Sequence, residues 1–192
     1  LNENLKIALI SDAGSPLISD PGFKLIKYFI DNRLCITTIP GPSSVLSALQ
    51  LSGLTINNFA FYGFVPKQES KKKQFFSKVQ SFDLTSVFFT SAKYLNNTIN
   101  SIDKYMDERD ITVCKELTKF NEEVFRGKAH EILNLIKEQK ILLKGEFTLV
   151  VGPTTKKNLR EINDEIKKEM ARLLKKFNLT EVVKIVHSLT GI

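Results

Sequence analysis

The feature that most constrains this chain is a join between two kinds of sequence. A short apolar run, Ile7-Ala8-Leu9-Ile10, empties directly into Ser11-Asp12-Ala13-Gly14-Ser15-Pro16-Leu17-Ile18-Ser19-Asp20-Pro21-Gly22. The run is β-branched and leucine-rich without clear alternation, the pattern of a strand buried on both faces. The stretch after it is polar backbone with little side-chain bulk. Open α/β sheets place their ligands outside the carboxyl ends of strands, so the join predicts a small-molecule site at this turn.

The remainder of the chain keeps alternating. Lys6–Ile10 reads as a strand, and a helix is expected from Pro21 to about Asn32, with Phe23, Ile26 and Ile30 on one face. Asp20 is placed to cap that helix and Pro21 to fill its first position. Leu34–Ile39 reads as a second strand. Pro40-Gly41-Pro42 then turns the chain, Ser43 or Ser44 caps a short helix through Leu51, and Gly53 stands past its end. This order predicts parallel pairing with right-handed crossovers.

A second block starts near Thr55. Strands are expected at Phe59–Val65, Ser86–Thr90, Ile111–Leu117 and Glu146–Val151, alternating with helices near Ser70–Gln80, Tyr94–Met106 and Ala129–Gln139. The fold class is therefore α/β, with the sheet parallel or mixed. From Lys156 onward, Leu159, Ile162, Ile166, Met170, Leu173 and Phe177 repeat at helical spacing. Asn178-Leu179-Thr180 breaks the pattern, and Thr180 is placed to cap a last helix ending near Leu189. Such a pair opens a helix-turn-helix or, more commonly, packs on the body or on a second subunit. The expected divisions are 1–54, 55–153 and 154–192.

With 42% hydrophobic residues and 14 Phe in 192 residues, the chain can build a core. No apolar run approaches the roughly 20 residues of a membrane span, and the first residues do not read as a secretory signal. The chain opens with Leu1 rather than Met and stops at Ile192 in mid-pattern, which predicts a fragment of a longer protein. Cys35 and Cys114 both fall in expected strands, which predicts two buried thiols in a reducing, cytoplasmic compartment rather than a disulfide. The histidines, His130 and His187, read as helix-surface residues, and no cluster has metal-ligand spacing, so no metal is expected. A net charge of +7 gives weak support to a polyanionic partner.

Four stretches could carry chemistry, each with a plain structural alternative. Asp12–Gly22 offers main-chain groups suited to a neutral or zwitterionic ligand, or simply two rigid turns; it has neither phosphate-loop nor dinucleotide spacing. Pro40–Ser44 delivers a helix N-terminus that could hold a carboxylate, or is plain capping. Lys115-Glu116-Leu117-Thr118-Lys119, continuing to Glu122-Glu123 and Arg126-Gly127, clusters charges of both signs at a strand end, as a reactive wall or a solvated loop. Lys71-Lys72-Lys73, near Lys67 and Lys78, is a phosphate-contacting run or a solvated basic helix face.

Taken in order, S-D-A-G-S-P-L-I-S-D-P-G, P-G-P-S-S, K-E-L-T-K with E-E-V-F-R-G, and K-G-E-F-T-L-V-V closely resemble the ribosomal RNA small subunit methyltransferase I family, of the tetrapyrrole methylase superfamily. The resemblance implies two α/β subdomains with a ligand cleft between them, a C-terminal helical tail and a homodimer. It implies an S-adenosylmethionine-dependent enzyme that methylates the ribose 2′-hydroxyl of a cytidine in the decoding region of 16S rRNA, within the small ribosomal subunit. It places donor contacts at Asp12, Ala13, Gly14, Ser15, Ile18, Ser43 and Ser44, with Lys115–Lys119 near the cleft. Glu116 and Lys119 are the candidates for a base or a local positive field, and Lys71, Lys72, Lys73 and Arg126 for RNA contact. The family also begins with a strand and a P-T-P-I-G-N-L-type loop and carries an E-D-T-R-type motif, neither of which occurs here. Two other functions fit the residues: a tetrapyrrole C-methyltransferase, and a non-catalytic RNA-binding or dimerisation module.

Overall fold

A computed structural model describes residues 5–106, 109–154 and 164–190. The chain divides into two compact units, Leu1–Thr154 and Thr155–Ile192. In the first, α1 (Phe23–Asp31) and α2 (Ser44–Ser52) precede β1 (Phe59–Phe64), α3 (Glu69–Gln80), β2 (Thr85–Ser91), α4 (Ala92–Tyr105), β3 (Asp110–Lys115), β4 (Glu123–Lys128), α5 (Ala129–Lys137) and β5 (Glu146–Val151). The strands form one sheet in the order β1-β2-β5-β3-β4. β1 pairs parallel with β2, whereas β5 runs antiparallel to both β2 and β3. Hence β1, β2 and β3 all point the same way, and their carboxyl ends share one edge of the sheet with the start of β5.

Alternation along the central strands buries both faces of the sheet. Phe88, Val113, Phe147, Leu149 and Val151 face one side, where Phe76 and Val79 of α3, Leu95, Ile99 and Ile102 of α4, and Ile132 of α5 close the main core. Val87, Cys114 and Val150 face the other side and meet Val45, Ala48 and Leu49 of α2. Each large apolar side chain so buried contributes about 1.5–3 kcal/mol. Two polar ties hold the C-terminal end of α2 to the sheet. The Thr112 hydroxyl donates to the Ser52 carbonyl at 3.1 Å, and Arg126 donates to the Leu51 carbonyl through Nε at 3.0 Å. Gly53, left-handed at φ 71°, ends α2, and the Ser43 hydroxyl accepts the Leu46 N–H at its start.

The first forty residues depart from expectation. Neither Lys6–Ile10 nor Leu34–Ile39 forms a strand, because no described strand runs alongside either to complete a hydrogen-bond ladder. Most of their apolar side chains face outward, with Ile10 84% and Ile39 90% exposed, while Leu34 is half-buried. Cys35 is exposed with them, so only Cys114 is the buried thiol that both were expected to be. Phe23 and Ile30 on the expected inner face of α1 are exposed as well. Gly22, not Asp20, is the N-cap of α1; the Asp20 carboxylate instead accepts from the Ser11 hydroxyl.

Elsewhere the expected elements form within a few residues of their expected limits. The exception is β4, which occupies part of the charged stretch expected to be a loop. Its edge position explains the difference: only Val124 and Phe125 pack inward, while its charged neighbours alternate toward solvent or pair with β3. In the second unit, α6 (Asp164–Leu173) and α7 (Leu179–Thr190) make a helical pair. Asn178 rather than Thr180 caps α7, accepting the Glu181 N–H at 2.9 Å while the Glu181 carboxylate accepts the Asn178 N–H at 3.0 Å. The expected helix positions Leu159 and Ile162 lie outside the described residues.

Burial pushes the Cys114 thiol up to about 11, with the Arg126 charge lowering it and the Glu122 charge raising it. Treated with a thiol reagent at mildly alkaline pH, the exposed Cys35 is expected to be modified at once and the buried Cys114 only on unfolding. Fast modification of both would show that the α2-facing core is open.

Candidate functional site

The shared carboxyl edge of β1, β2 and β3 opens into a cleft of about 860 Å³, within the size range of small-molecule sites. Its floor is the sheet edge itself: Phe64 at the end of β1, Phe89, Thr90 and Ser91 at the end of β2, and Gly145 to Thr148 leading into β5. A register shift between Phe61 and Phe64 bends the end of β1 under the site.

The two small-residue turns form the facing wall. The Ser15 hydroxyl donates to the Pro42 carbonyl at 3.0 Å, so the turns touch rather than merely approach. Asp12, Ala13, Gly14, Ser15, Ile18, Ser43 and Ser44, the residues expected to contact a donor, all line this one cleft. Gly14 is left-handed at φ 73°, and a β-carbon there would lie 4.0 Å from the Pro42 oxygen. Docking of α2 on the sheet places Ser43 and Ser44, since its C-terminal end is tied to β3 and β4 while its N-terminus points into the site. Backbone strain accumulates in the first turn, where Leu17 at φ 73° and Ser19 at φ 67° occupy a region that side chains rarely adopt.

The third wall is the β3–β4 loop, where Leu117, Thr118 and Lys119 reach the cleft. Glu116 and Thr118 are also left-handed, at φ 48° and 66°. Side chains lock this shape. The Glu116 carboxylate accepts the Glu146 N–H at 2.8 Å and a bond from the Lys119 ammonium at 3.2 Å, and Lys119 also donates to Glu146 at 3.0 Å. Glu122 accepts the Thr118 N–H at 2.6 Å. At Gly145 (φ 90°) a β-carbon would stand 2.5 Å from the Glu116 carboxylate oxygen, so only glycine fits there. The Glu146 N–H, helped by Lys119, holds the Glu116 carboxyl below its ordinary value. Bonds to Glu146 and then Glu116 hold the Lys119 ammonium above its own.

These surroundings change the reading of several expected residues. Glu116 is a loop fastener, and its lowered affinity for protons suits it poorly to act as a base. Lys119 keeps its proton, and its charge is shared between the Glu116 and Glu146 carboxylates at the cleft wall. Lys115 is buried, pairs with Glu123 on β4 and does not line the cleft. Lys72 is corrected likewise. It shares the inner stripe of α3 with Phe76 and Val79, is buried, and its ammonium lies 3.3 Å from Glu69. Lys71 and Lys73 remain exposed on the same helix. Arg126, although exposed, spends its guanidinium on the Leu51 carbonyl. Thr90 and Ser91 at the end of β2, which sequence reasoning passed over, carry the same signal as the first turn: small polar residues at a strand's carboxyl end.

The fold, the edge position of the cleft and its main-chain-rich turns define a class. The chain belongs to the family of tetrapyrrole (corrin/porphyrin) methylases, whose model matches residues 1–133. Within it, the chain is similar to proteins named ribosomal RNA small subunit methyltransferase I. It is 38% identical to that of Rickettsia prowazekii over 159 residues, covering 83% of this chain and 56% of the relative. It is 37% identical to that of Halalkalibacterium halodurans over 151 residues, covering 79% of this chain and 52% of the relative. The chain thus spans about half the length of the curated relatives it matches. The crystal structure of the methyltransferase CobJ shares the fold, with a TM-score of 0.53 at 12% identity over 73% of this chain and 62% of that one.

Because the Glu116 carboxyl is stabilised in its charged form, its contribution to the loop is present above the ordinary value of 4.5 and lost as pH falls through the lowered one. Amide exchange at Glu146, corrected for intrinsic rate, should stay slow down to pH 4.5 and speed up in stronger acid. In Glu116→Gln it should be faster at neutral pH and lose that acid transition; an unchanged profile would contradict the fastening role.

Proposed function

We propose that this chain forms part of an S-adenosylmethionine-dependent methyltransferase that modifies the ribose 2′-hydroxyl of a cytidine in the decoding region of 16S rRNA. The observation that carries the proposal is the direct contact of the two turns, Ser15 to Pro42, at the shared strand edge. In this reading residues 1–54 are the C-terminal part of a donor-binding subdomain, 55–153 a second subdomain, and 154–192 a helical extension. The working enzyme is a cytoplasmic homodimer acting on the small ribosomal subunit. The names of the relatives support an rRNA substrate over a tetrapyrrole one.

The cleft suits such a donor on its own chemistry. It offers hydroxyls at Ser44 and Ser91, a carboxylate at Asp12 and apolar surface at Ile18, Phe89 and Leu117, a mixture matched to an amino acid joined to a nucleoside. Asp12, Ala13, Gly14, Ser15 and Ile18 would hold it from one turn, and Ser43 and Ser44 from the other. When bound, the donor supplies an electrophilic methyl group on a sulfonium. This chain's part is alignment, and holding two reactants in line accounts for much of the rate in such a displacement. Lys119, bridging Glu116 and Glu146, keeps the β3–β4 wall in place beside the cleft.

Asp12→Ala in the natural full-length protein should abolish methyl transfer to small ribosomal subunits and weaken donor binding at least about tenfold. The thermal unfolding temperature should not move, since Asp12 is exposed. Retained transfer, or methylation of uroporphyrinogen in place of RNA, would overturn the proposal.

A further inference from the structure

The cleft has a flank that neither turn supplies. Three residues past Phe64 stands Lys67, and two and three past Ser91 stand Lys93 and Tyr94. Phe64 and Ser91 both line the cleft, so the parallel pairing of β1 and β2 brings these three residues together at its edge. The Lys67 ammonium lies 5.5 Å from the centre of the Tyr94 ring and that of Lys93 lies 5.7 Å from it. Two like charges therefore converge on one aromatic ring. Neither pairs with a carboxylate among the described residues, in contrast to Lys72, Lys115, Lys119 and Lys128, each of which does.

The local backbone adds to the positive field. Lys93 and Tyr94 occupy the first turn of α4, which holds no acidic residue, and its N-cap Ser91 makes no side-chain capping bond. A cation there opposes the helix dipole instead of complementing it, so folding alone does not favour this placement. Concentrated uncompensated charge beside an aromatic ring is the recurring arrangement for gripping single-stranded nucleic acid, where ammonium groups take phosphates and the ring takes a base or sugar.

We infer that Lys67, Lys93 and Tyr94 form a phosphate-gripping site that seats the substrate RNA strand beside the cleft. This deepens the proposed function and rests on it. The site stands in place of Lys72, which is buried and paired with Glu69, and of Arg126, whose guanidinium donates to the Leu51 carbonyl, and it lies nearer the cleft than Lys71 and Lys73 do along the chain.

The test uses the full-length protein and compares wild type with Lys67→Gln/Lys93→Gln and Lys67→Arg/Lys93→Arg. RNA binding is measured by fluorescence anisotropy across a salt series, with a 16S decoding-region fragment and a scrambled RNA of equal length. Donor binding is measured by calorimetry. In the glutamine pair, affinity should fall about tenfold for both RNAs, and the slope of log affinity against log salt should become shallower by about 1.5, the share of two phosphates. Donor affinity should stay unchanged, and the arginine pair should restore RNA binding. If wild type binds and methylates RNA but the glutamine pair matches it in affinity and slope, this site is wrong while the proposed function stands. If wild type methylates small ribosomal subunits without binding either RNA, this site is wrong while the proposed function stands; if it neither binds RNA nor methylates the subunits, both are wrong.

Discussion

The docking of α2 against the sheet sets the position of everything at the cleft. Val45, Ala48 and Leu49 meet Val87, Cys114 and Val150 across one sheet face, while Thr112 and Arg126 tie down the carbonyls at the helix's far end. With one end fixed, the other delivers Pro42 to Ser44 to the carboxyl edge of β1, β2 and β3. The Ser15 hydroxyl then fastens the first turn to Pro42. Without that packed seam, neither turn would have a fixed place relative to Thr90, Ser91 or Lys119. Removing Leu49 to alanine belongs to a class of change that costs about 2–5 kcal/mol.

Strain marks the same region. Leu17, Ser19, Glu116 and Thr118 adopt left-handed conformations without being glycine, and all lie in the two loops that frame the cleft. Such conformations cost about 1–3 kcal/mol each and persist only where surroundings over-determine them. Here the surroundings are identifiable: Glu122 holds Thr118, and Glu146 and Lys119 hold Glu116. The β3–β4 loop is therefore held in advance in the shape it presents to a ligand, which lowers the ordering cost of binding.

Much of this is legible in the chain, and the failures have physical causes. Apart from the edge strand β4, the strand–helix order from Phe59 to Val151 can be read because buried strands and amphipathic helices each leave a distinct period. The meeting of the two turns is expected from their places after successive apolar runs. Context is what misleads. Ile7, Ile10, Ile36 and Ile39 carry a buried-strand pattern, yet a strand exists only beside a partner, and none of the described residues provides one. Lys72 and Lys73 are adjacent lysines in sequence but lie on different sides of a helix, so one is buried and the other exposed. Glu116 reads as a free carboxylate, because its partner Glu146 is thirty residues away. Sequence names charges; only the fold shows which are already engaged.

The central claim is that the two turns act as one wall of a single donor site. Amide hydrogen exchange with and without S-adenosylhomocysteine addresses it directly. Binding should slow exchange together in residues 12–20 and 43–46, with a smaller effect at 117–119 and none on the outer face of α5. Protection confined to one turn, or appearing only away from the carboxyl edge of β1, β2 and β3, would contradict the account.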